Sequence, residues 1–136
     1  MLNEVGFTLV EAITATVIAI IAVLGLAFSF SAGRGMIDRY AVARSALASA
    51  ERRMEYLSIL GLRSPTHPDL SPGVHPPSPL SLNGNTSGTE QWTVTPIDDP
   101  ADADSNPDYK QVVVDVSWMS GSVQDKVVLT RIILGS

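Results

Sequence analysis

Residues 6–33 read GFTLVEAITATVIAIIAVLGLAFSFSAG. Within them an uncharged run of 22 residues extends from Ala12 to Gly33. That is enough for a helix to cross a hydrocarbon core of about 30 Å. The one charge in the stretch is Glu11, near its start. A carboxylate at membrane depth costs on the order of 3 kcal/mol, so its presence there points to a role. A buried carboxylate needs a partner, and the nearest basic residue on either side is Arg34, outside helical reach. The partner is then another chain, another molecule or a freed α-amino group. A signal anchor whose glutamate sits at the interface is the bland alternative. A cleaved secretory signal fits less well, because its apolar core runs about 7–15 residues and follows basic residues.

The run Gly6-Phe7-Thr8-Leu9-Val10-Glu11, joined to an apolar helix, resembles the N-terminus of type IV pilin-like proteins: pilins, minor pilins and the pseudopilins of type II secretion. The resemblance implies a leader at 1–6, cut after Gly6 by a prepilin peptidase, with N-methylation of Phe7. It also implies that Glu11 pairs with the N-terminal amine of a neighbouring subunit during assembly. The implied partners are other pilins or pseudopilins through the N-terminal helix, the prepilin peptidase, an inner-membrane assembly platform and the membrane itself. The implied location is the bacterial inner membrane, single-pass, with the C-terminal domain in the periplasm or outside, and then the pilus or pseudopilus. The family's helix proline falls here at Phe28, and the disulfide common in pilins is missing, since the chain has no cysteine. The segment 1–6 holds Glu4 but no Lys or Arg. Charge bias alone, with Arg34 and Arg39 beyond the span, favours the opposite orientation; an upstream start or the translocation machinery would override it.

The 136 residues leave room for one membrane helix and one small domain. Residues 1–60 carry five basic and five acidic residues, and residues 61–136 four and nine. The soluble end therefore holds the whole net charge of −5, which argues against a phosphate-backbone partner; no nucleic acid is expected.

The organisation read from the sequence is a transmembrane helix over 7–33, an amphipathic continuation over 34–60, a Pro-rich linker over 61–90 and an antiparallel β-sheet region over 91–136. Met36, Tyr40, Ala43, Leu47, Ala50, Met54 and Leu57 recur at steps of four and three and mark one apolar stripe. Gly61 reads as the C-cap, and Gly25, Gly33 and Gly35 as weak points inside the helix. Six prolines between Pro65 and Pro79 exclude helix and sheet interior. His67 and His75 lie among them and read as solvated loop residues rather than metal ligands. Strands are expected over 91–97, 109–118 and 123–134, with Trp92 and Val94 sharing one face of the first and Val112, Val114, Val116 and Trp118 sharing one face of the second. The fold class is thus α+β, a long N-terminal helix packed on a small antiparallel sheet, pilin-like.

No enzyme signature appears: there is no Gly-rich phosphate loop after a strand and no zinc spacing. No cofactor is expected, with calcium as the one candidate. Asp102, Asp104, Asn106 and Asp108 alternate as the oxygen ligands of a calcium loop do. Pro107 and Val113 stand where an EF-hand needs glycine and glutamate, so only a looser site remains, against a plain acidic loop; the resemblance adds that major pseudopilins bind calcium in a loop of this domain. The reading that results is a minor pilin or minor pseudopilin of a type IV pilus or type II secretion pseudopilus. The alternatives are a major or competence pilin acting in DNA uptake or adhesion, or a membrane-anchored binding module.

Overall fold

The computed structural model describes residues 8–83, 85–99, 101 and 107–134. It is α+β, a long N-terminal helix followed by a small antiparallel sheet that packs on the helix's C-terminal part. Helix α1 runs Leu9–Arg63, 55 residues. By contacts the chain divides into two compact units, Met1–Asp38 and Arg39–Ser136.

In the first unit α1 starts at a threonine N-cap. Thr8 precedes the helix and its Oγ1 accepts from the Glu11 backbone N–H at 3.3 Å, which satisfies one of the free donors of the first turn. Thr14, Thr16 and Ser29 return their hydroxyls to the carbonyls of Val10, Ala12 and Gly25. Each hydroxyl is thereby spent inside the helix, as an apolar surrounding requires. The helix is long and apolar enough to cross a membrane, and none of its apolar window is buried. Gly25, Gly33 and Gly35 lie inside the continuous helix with open space where a Cβ would be.

In the second unit five strands follow the helix: β1 Gly73–Val74, β2 Ser78–Leu82, β3 Thr86–Ile97, β4 Tyr109–Ser120 and β5 Val123–Leu134. All pairings are antiparallel; β1 and β2 both pair with β3, and β4 lies between β3 and β5. The strand parity expected from the sequence holds. Trp92 and Val94 of β3 and Val112, Val114, Val116 and Trp118 of β4 are buried. They pack with Ala46, Ala50, Met54 and Leu57 of α1.

Three expectations are corrected. The helix passes Gly61 and ends at Arg63. Gly61 is not its cap; a Cβ there would lie 3.1 Å from Ile133 Cδ1, so it marks a close approach of helix to β5. The stripe is shifted: Ala46 is fully buried, while Met36 and Tyr40 are exposed and Leu47 is 38% exposed. The sheet begins to cover the helix only at Val42 and Ala43. Its contact face follows Ala46 and Ala50, whose small side chains let sheet and helix approach. Finally, residues 61–90 are not a structureless linker. They hold a short 3-10 turn, Pro68–Leu70, then β1, β2 and the start of β3. Pro79 is the one of these prolines in a strand, and it sits in β2, paired on one side only, where a missing N–H is tolerated; Pro68 opens the 3-10 turn and the others lie between elements. Gly88, within the stretch 61–90, is buried inside β3, where a Cβ would meet Leu82 and the Ser117 carbonyl.

Candidate functional site

Two places carry chemistry. The first is the start of α1. Gly6 and Phe7 lie outside the described residues. Glu11 is exposed in the first helical turn, where a carboxylate is favoured by the helix dipole. Arg34, the nearest base in sequence, lies about 35 Å further along the helix at 1.5 Å per residue. No described side chain bonds the Glu11 carboxylate, so any charge partner must come from the segment before Thr8 or from another chain.

The second place is built where α1 meets the strap of residues 64–77 and strand β3. Arg53 projects from α1, and its Nε donates to Glu90 Oε1 at 2.5 Å. Glu90 is 8% exposed, the one buried charged residue among the described residues. The Arg53 guanidinium also lies 4.7 Å from the Trp92 ring centroid and 5.8 Å from that of Tyr56. Trp92 Nε1 donates to the Asp69 carbonyl at 2.9 Å, and the Tyr56 hydroxyl donates to the Asp69 carboxylate at 3.2 Å. Desolvation first, then the hydrogen bond and the charge of Asp69, hold the Tyr56 phenol above its ordinary pKa; Arg53 pulls it the other way.

The two histidines have structural work here, against the expectation of a solvated loop. His75 stacks on Trp92, with centroids 4.7 Å apart and planes 10° from parallel. Its backbone N–H donates to the Trp92 carbonyl, and Gln91 Nε2 donates back to the His75 carbonyl. Nε2 of His75 faces the Ser71 carbonyl at 3.1 Å, so that nitrogen carries a proton. His67 caps the 3-10 turn, its Nδ1 accepting from the Asp69 N–H at 3.2 Å. Both rings are committed to folding the strap. Among the described residues no group of three His, Cys, Asp or Glu is placed to hold a metal.

An open cleft of about 400 Å³ lies beside this cluster, lined by Ser49, Arg52, Arg53, Tyr56, Ser78 and Glu90 among others. With Arg53 and Glu90 neutralising each other, the arrangement serves to clamp strap, helix and strand together. Sequence reasoning missed Glu90 because strand β3 was started at residue 91, five residues after its observed start at Thr86. Counting parity back from Val94 and Trp92 puts Glu90 on the inward face, and that was the available signal.

Of the acidic-loop residues, Asp102, Asp104 and Asn106 lie outside the described residues. Asp108 is described: its Oδ2 accepts from the Asp99 N–H at 2.9 Å, and its own N–H donates to the Ile97 carbonyl at 3.0 Å. These bonds close the base of the β3–β4 connection. No family model, curated protein or solved structure matches the chain.

Proposed function

We propose that the chain is a structural subunit, a minor pilin or minor pseudopilin, of a type IV pilus or type II secretion pseudopilus. The observation that supports this is a single helix with two different surroundings. Its first part is membrane-length, apolar and unburied, with Glu11 in the opening turn. Its later part packs on a small antiparallel sheet. A subunit so built can wait in the inner membrane and leave it when an assembly of like helices replaces the lipid. In this reading prepilin peptidase cuts between Gly6 and Phe7, and the new amine is methylated. Glu11, without a described cationic partner, takes the N-terminal amine of a neighbouring subunit. Assembly then removes a lone carboxylate from lipid, which makes docking favourable at that point in the helix bundle.

The test is intact-mass measurement of the membrane-bound chain from cells with and without a prepilin peptidase. The expected mature form begins at Phe7 and carries one methyl group, and Gly6→Leu leaves residues 1–6 attached. Glu11→Ala should insert normally but incorporate poorly into sheared or crosslinked assemblies. A chain that keeps residues 1–6 in peptidase-positive cells, or that incorporates equally well without Glu11, overturns the proposal.

A further inference from the structure

Arg52, Arg53 and Tyr56 stand at neighbouring positions on one face of α1, three and four residues apart around Tyr56. Across the open cleft of about 400 Å³ lie Ser78, Pro79 and Leu80 of β2. Ser78 and Leu80 are half-buried and Pro79 between them is exposed, the alternation of a strand with one face turned to the helix. Residues of both parities line the cleft, so it runs along the edge of β2. Among the described strands β2 pairs with β3 alone, and that other edge is open. All of these residues belong to the second unit, so the site stands whether or not the chain assembles as a pilin-like subunit.

Three charges border the cleft: Arg52, Arg53 and Glu90. Glu90 takes the Arg53 Nε, which leaves one positive charge over. Arg52 is exposed and has no ion-pair or hydrogen-bond partner among the described residues. The clamp to Glu90 uses one of the five N–H donors of the Arg53 guanidinium, and its terminal N–H groups bond no described acceptor. We propose that this cleft binds an extended polypeptide segment through a carboxylate: Arg52 and the terminal N–H groups of Arg53 hold the carboxylate oxygens, and the segment's backbone adds to the open edge of β2. The planar guanidinium fork matches a carboxylate. A single carboxylate cancels the surplus charge, whereas a phosphate dianion exceeds it and faces the Glu90 carboxylate as well. A strand edge offers unpaired N–H and C=O groups to an added chain. Pro79 has no N–H to give, so the backbone pairing is short and the carboxylate carries most of the selectivity.

The experiment is nuclear magnetic resonance of the full ¹⁵N-labelled chain in detergent micelles, reading the arginine side-chain signals and the backbone amides of β2. The probes are acetyl-TVTV with a free C-terminal carboxylate, the same peptide with an amidated C-terminus, amidated acetyl-TVDV, acetate alone and inorganic phosphate alone. The expected result is that the free-acid peptide, the aspartate peptide or both shift the Arg52 and Arg53 side-chain signals together with the β2 amides, saturably. Which of the two binds tighter tells whether a chain terminus or an acidic side chain is the source of the carboxylate. The neutral amidated peptide should bind at least about tenfold more weakly, the loss of a charge-assisted hydrogen bond. Arg52→Gln should weaken the acid peptide by a similar factor while the amide signals of β3, β4 and β5 stay in place. Arginine signals unmoved by either carboxylate peptide overturn the site, as does equal binding of the neutral peptide or of the Arg52→Gln chain. Acetate acting as strongly as the peptides, with the β2 amides still, overturns the polypeptide partner. Phosphate binding more tightly than any peptide overturns the carboxylate.

Discussion

Arg53 and Glu90, 37 residues apart in sequence, meet with Nε 2.5 Å from Oε1 and join helix α1 to strand β3. The Glu90 side chain is 11% exposed and that of Arg53 28%, so the carboxylate is the group that suffers if the pair is broken. Leaving a buried charge unpaired is costly, whereas replacing both partners by apolar groups is often neutral. Arg53→Met should therefore destabilise the second unit by about 2–3 kcal/mol, less than a fully buried pair because water still reaches the guanidinium. The double change Arg53→Met with Glu90→Leu should recover most of that loss. Denaturant unfolding of the full chain in detergent, followed by fluorescence of Trp92 and Trp118, reads both. Equal losses in the single and double variants would show that the contact contributes by shape rather than by charge.

The three long strands were legible in the sequence because their alternation is driven by a single buried face. Val112, Val114, Val116 and Trp118 leave little freedom for register, and β5 was placed at its observed limits, while β3 was started at 91 instead of Thr86 and β4 was ended at Trp118 instead of Ser120. The strap was not legible. Prolines signal where regular structure is weakened, and they do not say that an edge strand such as β2, paired on one side only, still forms. The helix stripe was half legible for a related reason. Steps of four and three describe a face, but the sheet decides which part of it is covered, and Ala46 fits under the sheet where Leu47 does not. At the helix start, residues 8–11 read as a functional motif, and the same Thr8 also caps the helix through the Glu11 N–H; one sequence serves both readings.

Gly88 sets how closely β2 and β3 stack against the core. A Cβ at that position would lie 2.8 Å from Leu82 Cδ1 and 3.1 Å from the Ser117 carbonyl oxygen. The leucine end can turn away, but the carbonyl belongs to the β3–β4 ladder. Gly88→Ala should cost about 1–3 kcal/mol, the usual range for forcing a group into a packed core. Gly88→Ala combined with Leu82→Val should recover only the leucine share of that loss. Unfolding midpoints of the two variants measure the split, and a neutral Gly88→Ala would mean that the strand moves freely there.

The β4–β5 hairpin closes through Gly121 and Ser122, between the paired residues Ser120 and Val123. Gly121 has φ of +66°, which a side chain resists and which two-residue hairpins with a glycine at the first position require. Gly121→Ala should destabilise by about 1 kcal/mol, whereas Gly121→Asn should lose much less because asparagine visits that region more readily. Equal losses in the two variants would point to a packing role for Gly121, although open space surrounds its Cβ position.

Tyr56, 42% exposed, gives the second unit's stability a dependence on alkaline pH. Its phenol is held above the ordinary value by desolvation, then by its hydrogen bond to Asp69 and by the Asp69 charge, with Arg53 opposing. The folded chain thus binds this proton more tightly than the unfolded chain. The resulting stabilisation is fully present below the unfolded pKa of about 10 and is lost as pH rises through the folded value. Tyr56→Phe should remove that part of the alkaline decline and leave stability near neutral pH changed only by the lost hydrogen bond. Asp69→Asn should bring the phenol down toward its ordinary value but not fully, because desolvation, the largest cause, remains. Arg53→Met should move it up. The chain has three tyrosines, so tyrosinate absorbance against pH isolates the late-titrating one by its loss in Tyr56→Phe. Denaturant midpoints across the same pH range give the stability profile. Superimposable alkaline profiles for the wild type and Tyr56→Phe would refute the assignment.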